Sequence, residues 1–170
     1  PHKLNKNSIS NILSIRYDPN DKPSRNSIPW KDLRTNNSDS LGEKTENLLE
    51  KSIKNQFGNC DEPISISLSG GIDSTLSLAL LRKVFPKRKL ISICGVFEGH
   101  FDESKIARKV AKNFDSSLHV VKMDSIFTTM PKIISISKKP RWNTYQHLIA
   151  KESKQYSKIL VTGEIGRAHV

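Results

Sequence analysis

The segment Ser69-Gly70-Gly71-Ile72-Asp73-Ser74 constrains this chain more than any other, because it joins a strand end, a glycine turn and a helix start. Before it, Pro63-Ile64-Ser65-Ile66-Ser67-Leu68 alternates apolar and small polar residues, the period of a strand. After it, Thr75-Leu76-Ser77-Leu78-Ala79-Leu80-Leu81 reads as a buried helix. Two adjacent glycines let the backbone turn sharply and approach a ligand with no Cβ atoms in the way. The amides of the new helix's first turn face that gap, where the helix dipole favours an anion. Ser69, Ser74 and Thr75 add hydroxyls, and Asp73 adds a carboxylate able to hold Mg²⁺ against phosphate oxygens. The pattern is that of a phosphate cradle. Its plain alternative is an ordinary strand–turn–helix corner of small residues. A Walker loop is excluded, since no lysine follows the glycines.

The flanking segments supply a framework for such a loop. Ile9 to Tyr17 alternates as a strand would, ended by Asp18-Pro19-Asn20-Asp21. Lys22 to Ser40 has the polar, Pro- and Asn-containing composition of a linker, with Trp30 as a docking point. Glu43 to Phe57 predicts a helix with Leu48, Leu49, Ile53 and Phe57 on one face, stopped by Gly58-Asn59. The helix after the glycine loop runs from Ser74 to about Phe85 and ends at Pro86. Lys89 to Phe97 is a buried strand. Asp102 caps a helix carrying Ile106, Ala107, Val110, Ala111 and Phe114, or else lines a cleft. Ser117 to Met123 is a strand containing His119, read as a partly buried structural histidine, and Asp124 caps a helix through Ile126 to Ile134. Trp142 to Tyr156 is a helix and Ser157 to Thr162 a strand.

Strands alternating with helices of this length predict an α/β fold with a doubly wound, mostly parallel sheet of Rossmann-like kind. Ligands in such folds sit beyond the carboxyl ends of the strands, where the strand order reverses. The glycine loop and Thr162-Gly163 both follow strands and therefore face one crevice.

At 170 residues the chain has room for about one domain. No stretch approaches the roughly 18 apolar residues of a membrane span, and the first residues lack a signal pattern, so the cytoplasm is the expected location. Cys60 and Cys94 are far apart and predict neither zinc nor a disulfide; Cys94 in its apolar run reads as a core residue. The net charge of +11 raises nucleic acid as a partner, but the lysines are spread along the chain and few aromatic residues lie between them, so nucleic acid is disfavoured.

The loop resembles the Ser-Gly-Gly-x-Asp-Ser loop of the N-type ATP pyrophosphatases, of adenine nucleotide alpha hydrolase-like fold, which cleave ATP between its α and β phosphates. Residues 43–164 resemble the synthetase domain of the asparagine synthetase family, with the fold incomplete at its C-terminal side. Ile93-Cys94-Gly95, Phe101-Asp102-Glu103-Ser104, Ala107-Arg108-Lys109-Val110-Ala111, Leu118-His119 and Ile159-Leu160-Val161-Thr162-Gly163-Glu164 carry that resemblance. It implies an enzyme that adenylates aspartate with ATP and Mg²⁺, using ammonia or glutamine as nitrogen source. In this reading Ser69, Gly70, Gly71, Asp73 and Ser74 hold the departing pyrophosphate, and Asp73 also binds the metal. Leu68, Cys94 and Gly163, beside Thr162, frame the nucleoside. A homodimer is left open.

The family's Ala-Asp-Glu continuation after Gly163-Glu164 is missing, and Ser137-Lys138-Lys139-Pro140-Arg141 stands where an acidic residue often precedes proline. A tRNA lysidine or thiouridine synthetase uses the same loop and is the chief alternative, although more than 60 residues precede Ser69 here. A non-catalytic ATP-binding module is a third. Residues 1–42 read as the end of a preceding domain plus linker. One coding of Ile165-Gly166-Arg167-Ala168-His169-Val170, ATC-GGA-AGA-GCA-CAC-GTC, resembles a sequencing-library adapter, so 165–170 are expected to be a non-native tail.

Overall fold

The computed structural model describes residues 5–15, 40–97, 102–123, 125–137 and 145–163. Six helices and four strands lie among them: α1 (Lys6–Ile15), α2 (Leu41–Phe57), β1 (Ile64–Ser67), α3 (Ile72–Val84), β2 (Leu90–Phe97), α4 (Ser104–Asn113), β3 (Ser116–Met123), α5 (Ile126–Ser137), α6 (Gln146–Ser153) and β4 (Ile159–Val161). The linker to residue 39 with Trp30, together with Asp124, Arg141, Trp142, Asn143, Glu164 and the tail, lies outside the described residues.

The four strands form one sheet of order β3-β2-β1-β4, parallel at every pairing. The chain moves outward from β1 through β2 to β3, then returns to the other side of β1. Ile64 therefore pairs with Leu90 on one side and Ile159 on the other. The reversal of strand order lies between β1 and β4, and the crevice outside their carboxyl ends is the ligand position of doubly wound folds.

Alternation along the strands divides the core. Ile64, Ile66 and Leu68 of the β1 segment, with Leu90 and Cys94 of β2, pack against Leu78 and Leu81 of α3 and Ala107 and Ala111 of α4. Ile91 and Ile93 point the other way and meet Ile149 of α6, with Val121, Tyr145, Tyr156 and Leu160 around them. Full burial of each Leu or Ile contributes about 1.5–3 kcal/mol, so these two clusters hold α3 and α6 on opposite faces of the sheet. At the end remote from the crevice, Arg82 donates to the carbonyls of Phe114 (2.9 Å), Pro86 (2.8 Å), Arg88 (2.9 Å) and Asp115 (2.7 Å), tying the last turns of α3 and α4 together.

Two sequence expectations are corrected. The strand expected from Ile9 is a helix: Ile9, Ile12 and Leu13 recur at helical spacing, and Asn5 Oδ1 accepts from the amides of Asn7 (3.0 Å) and Ser8 (3.4 Å), the bonding of an N-cap. On α2 only Ile53 and Phe57 reach the core, whereas Leu48 and Leu49 are exposed. The helix crosses the far end of α3, where Lys83 Nζ bonds Glu46 Oε1 at 2.7 Å, and its first half runs clear of the sheet. Among the described residues no helix is long and apolar enough to cross a membrane.

Candidate active site

β1 ends at Ser67, and the Leu68 amide adds one more bond to β2 by donating to Ile93 O at 2.9 Å. The chain then turns. Gly70 has φ +82°, and a Cβ there would lie 2.7 Å from Ile106 Cγ2, so both conformation and space require glycine. Gly71 is extended and precedes α3, whose first internal bond runs from the Thr75 amide to Gly71 O at 3.0 Å. The loop is stitched by its own hydroxyls. Ser69 Oγ accepts from the Gly71 amide at 3.2 Å and lies 3.3 Å from Ser74 Oγ, which donates to Gly71 O at 3.1 Å. The amides of Ile72, Asp73 and Ser74 fall in the helix's first turn, where no intrahelical acceptor exists, and they present partial positive charge to the crevice.

A cleft of about 190 Å³ opens there. Six residues predicted from sequence line it: Ser69, Gly71, Asp73, Ser74, Thr162 and Gly163. Gly163 closes one side at van der Waals distance from α3, since a Cβ on it would fall 2.9 Å from Ser74 N and 3.1 Å from Asp73 C. Leu68 and Cys94, expected beside the nucleoside, are each 1% exposed and belong to the core beneath the cleft; Gly70 faces Ile106. Burial, with Glu103 and Asp102 adding, pushes the Cys94 thiol up to about 11. The N-cap of α4 is Glu103, not Asp102; Asp102 stands one residue before it, where its Oδ1 accepts from the Ser104 amide at 3.0 Å, and hydrogen bonds from Ser104 hold its carboxyl below the ordinary value. His119 stacks on Tyr156 with ring centroids 4.0 Å apart, away from the cleft lining.

Four lining residues were not anticipated: Ser67, Ile72, Tyr145 and Gln146. Ser67 shared a strand period with no distinguishing mark, and Ile72 is the variable position of the loop motif. Tyr145 and Gln146 sit at the start of α6, within a helical pattern that runs from Trp142, so the sequence carries no signal of where the first turn falls. A larger hollow of about 520 Å³, near Gly58, Phe85 and Lys87, lies at the carboxyl ends of α2 and α3. Helix dipoles there present their negative ends, which suits phosphate poorly.

Among the described residues no three His, Cys, Asp or Glu side chains gather as a metal cage. Asp73 is the cleft's acidic lining residue. One carboxylate, with phosphate oxygens and water completing the shell, is the usual way Mg²⁺ is held beside a nucleotide, so the residues present fit that ion.

The model of the asparagine synthase family matches residues 44–166, most of the chain. The chain belongs to the asparagine synthase family. Solved structures sharing its fold include the glutamine-dependent NAD+ synthetase of Acinetobacter baumannii in complex with ADP, at TM-score 0.55 and 14% identity over 75% of this chain and 26% of that one. The NH3-dependent NAD synthetase of Campylobacter jejuni gives 0.51 and 14%, covering 72% of this chain and 56% of that one. The U34-tRNA thiolase NcsA of Methanococcus maripaludis gives 0.51 and 15%, covering 71% and 46%. This asparagine synthase family chain thus spans between about a quarter and just over half the length of these structures. At such identities the likeness concerns the fold, an α/β sheet of the PP-loop type. No curated protein matches the chain.

Proposed function

We propose that the protein is an ATP-dependent amide-forming ligase of the cytoplasm that adenylates the side-chain carboxylate of aspartate, releases pyrophosphate, and lets ammonia, free or drawn from glutamine, form asparagine. Residues 43–164 are its ATP-pyrophosphatase domain, with 1–42 ending a preceding domain and linker. The observation that carries this reading is the cleft at the strand-order reversal, where the first turn of α3 is closed upon by Gly163.

A carboxylate is a poor acyl donor because oxide would have to leave. In the first step a carboxylate oxygen forms a bond to the α phosphorus, and the bond from that phosphorus to the bridging oxygen breaks, its electron pair leaving with pyrophosphate. In the second, ammonia adds to the acyl carbon, AMP departs and the nitrogen sheds a proton. The chain's part is positioning and charge stabilisation. The Ile72, Asp73 and Ser74 amides receive the terminal phosphates, and the Ser69 and Ser74 hydroxyls keep the loop in shape for them. Mg²⁺ held by Asp73 would neutralise charge on the leaving pyrophosphate.

The test is to incubate the intact protein with ATP, aspartate and ammonia and to assay pyrophosphate and AMP. Aspartate-dependent release of both is expected. Release that depends on tRNA instead would replace this reading with an RNA-modifying one, and ATP binding without release would reduce it to a nucleotide-binding module.

A further inference from the structure

The sheet ends in two unlike edges. β4 is three residues long, whereas β3 pairs with β2 one to one over eight residues, with no bulge and no proline. Among the described residues no strand pairs with the outer side of β3. Natural proteins usually keep edge strands short, bulged or guarded by charge, because unpaired backbone groups invite another strand. On β3 the guard is Lys122, near its end.

The register shows which backbone groups the edge offers. The Ile64 amide donates to Lys89 O at 3.1 Å and the Leu68 amide to Ile93 O at 2.9 Å, so the odd-numbered residues of β2 serve β1 and its even-numbered residues serve β3. Each strand residue turns its N–H and C=O to one side, and its neighbour turns them to the other. Ser92 stands opposite Leu118, so Ser117, His119 and Val121 bond to β2. The N–H and C=O groups of Leu118, Val120 and Lys122 therefore point outward. Val120 is 38% exposed at this edge.

The charge beside the edge is mainly positive. α4 buries Ala107 and Ala111 against the sheet and exposes Lys105, Arg108, Lys109 and Lys112, with Asp102 and Glu103 at its start. Arg108 and Lys112, one turn apart, line a hollow of about 360 Å³ between α4 and Ser116, Ser117 and Leu118 of β3. Asp115 shares that lining, its carboxylate 3.8 Å from Arg82. We propose that the outer edge of β3 takes an acidic, extended segment of a partner protein as an added strand, with carboxylates of that segment meeting Arg108 and Lys112. In this mode backbone pairing supplies affinity and the side chains beside the edge supply choice. A second copy of this chain suits the edge poorly. Antiparallel pairing of two β3 strands about a two-fold axis would bring both α4 helices, with the same basic residues, onto one face, where they repel.

The probe is a synthetic peptide as long as β3 that alternates valine and glutamate, added to the intact protein at low salt. Hydrogen exchange should slow by about tenfold or more at the Leu118, Val120 and Lys122 amides, and change little at Ser117, His119 and Val121, which already bond to β2. Binding read by fluorescence anisotropy should weaken by about tenfold or more for the same peptide with every amide N-methylated, and likewise for the protein carrying both Arg108→Glu and Lys112→Glu. The methylated peptide needs no protein variant, so misfolding cannot imitate its result. Absence of protection at the outward amides overturns the proposal, as does equal binding of the methylated peptide or indifference to the charge reversal. Protection of those amides by single-stranded polyuridylate and not by the peptide would make the edge a nucleic-acid surface instead, and protection by self-association of the free protein would assign it to a second copy.

Discussion

Gly163, just past β4, lies so close to α3 that a Cβ built on it would come within 2.9 Å of the Ser74 amide nitrogen and 3.0 Å of its Cα. Both are backbone atoms, which cannot rotate away as a flexible side chain would. A methyl at 163 must push the first turn of α3 out of place, and that turn carries the amides offered to phosphate. Gly163→Ala should therefore weaken binding of Mg²⁺-pyrophosphate by about tenfold or more while costing about 1–3 kcal/mol of stability, the usual range for overpacking. Calorimetric titration with pyrophosphate and urea denaturation measure the two effects. Unaltered affinity would show that the strand end and the helix start do not form one site.

Asp73 sits in the first turn of α3, where a carboxylate also complements the helix dipole. Asp73→Asn retains the size and a polar group but removes the charge. Acid-dependent pyrophosphate release should fall by about a hundredfold or more, the scale seen when one charge-stabilising group is lost from an active site. The variant should stay folded, because the loop's own Ser69–Gly71 and Ser74–Gly71 bonds do not involve the carboxylate, and a melting curve checks it. Near-normal turnover in this variant would dismiss Asp73 from the chemistry.

The loop and its sheet were legible because each local signal agreed with the others: a period of two before Ser69, a glycine pair of which Gly70 alone fits its φ of +82°, and a helical pattern after. The first segment was misread because Ile9, Ile12 and Leu13 fit a loose alternation as well as a helical spacing, and the deciding signal was Asn5 as a cap. The outward face of Leu48 and Leu49 was hidden for another reason. Helical periodicity reports which side chains share a stripe, not how far along its length a helix stays on the sheet. Leu68 and Cys94 were placed by resemblance at the nucleoside, yet strand alternation already assigned both to the α3–α4 face, where they are buried. The second wall of the cleft could not be read at all, because Tyr145 and Gln146 reach it through the packing of α6 against a face formed by strands more than twenty residues earlier.

The two cysteines should react very differently. Cys94 is buried against the α3–α4 face, and burial raises its thiol from the ordinary 9.0 to about 11, whereas Cys60 is half-buried. Since the thiolate is the nucleophile, a disulfide reagent at pH 8 should modify Cys60 alone in the native protein and both after denaturation. The same shift bears on stability. A thiol raised in the folded state favours folding while protonated, fully below pH 9.0, and that contribution fades as pH climbs from 9.0 towards about 11. Cys94→Ser should flatten the alkaline part of a stability–pH profile, and rapid native labelling of Cys94 would contradict its placement.

Two fully buried serines on neighbouring strands test the polar content of the core. Ser92 Oγ lies 2.8 Å from Ser116 Oγ, across the β2–β3 pair. Ser65 Oγ has no hydrogen-bond partner among the described residues and stands in register between Ile91 and Leu160. Removing a paired hydroxyl loses the net value of a hydrogen bond, about 0.5–1.5 kcal/mol, while removing an unpaired one relieves a desolvated group and leaves a methyl suited to its apolar neighbours. Ser92→Ala should therefore lower stability by about that amount, and Ser65→Ala should leave it equal or raise it by about 1 kcal/mol, both read by urea denaturation. Ser65 shares its sheet face with Ser67, which lines the cleft one step further along β1. A clear loss of stability in Ser65→Ala would mean that its hydroxyl has a partner such as an ordered water beneath the site, and pyrophosphate affinity should then fall with it.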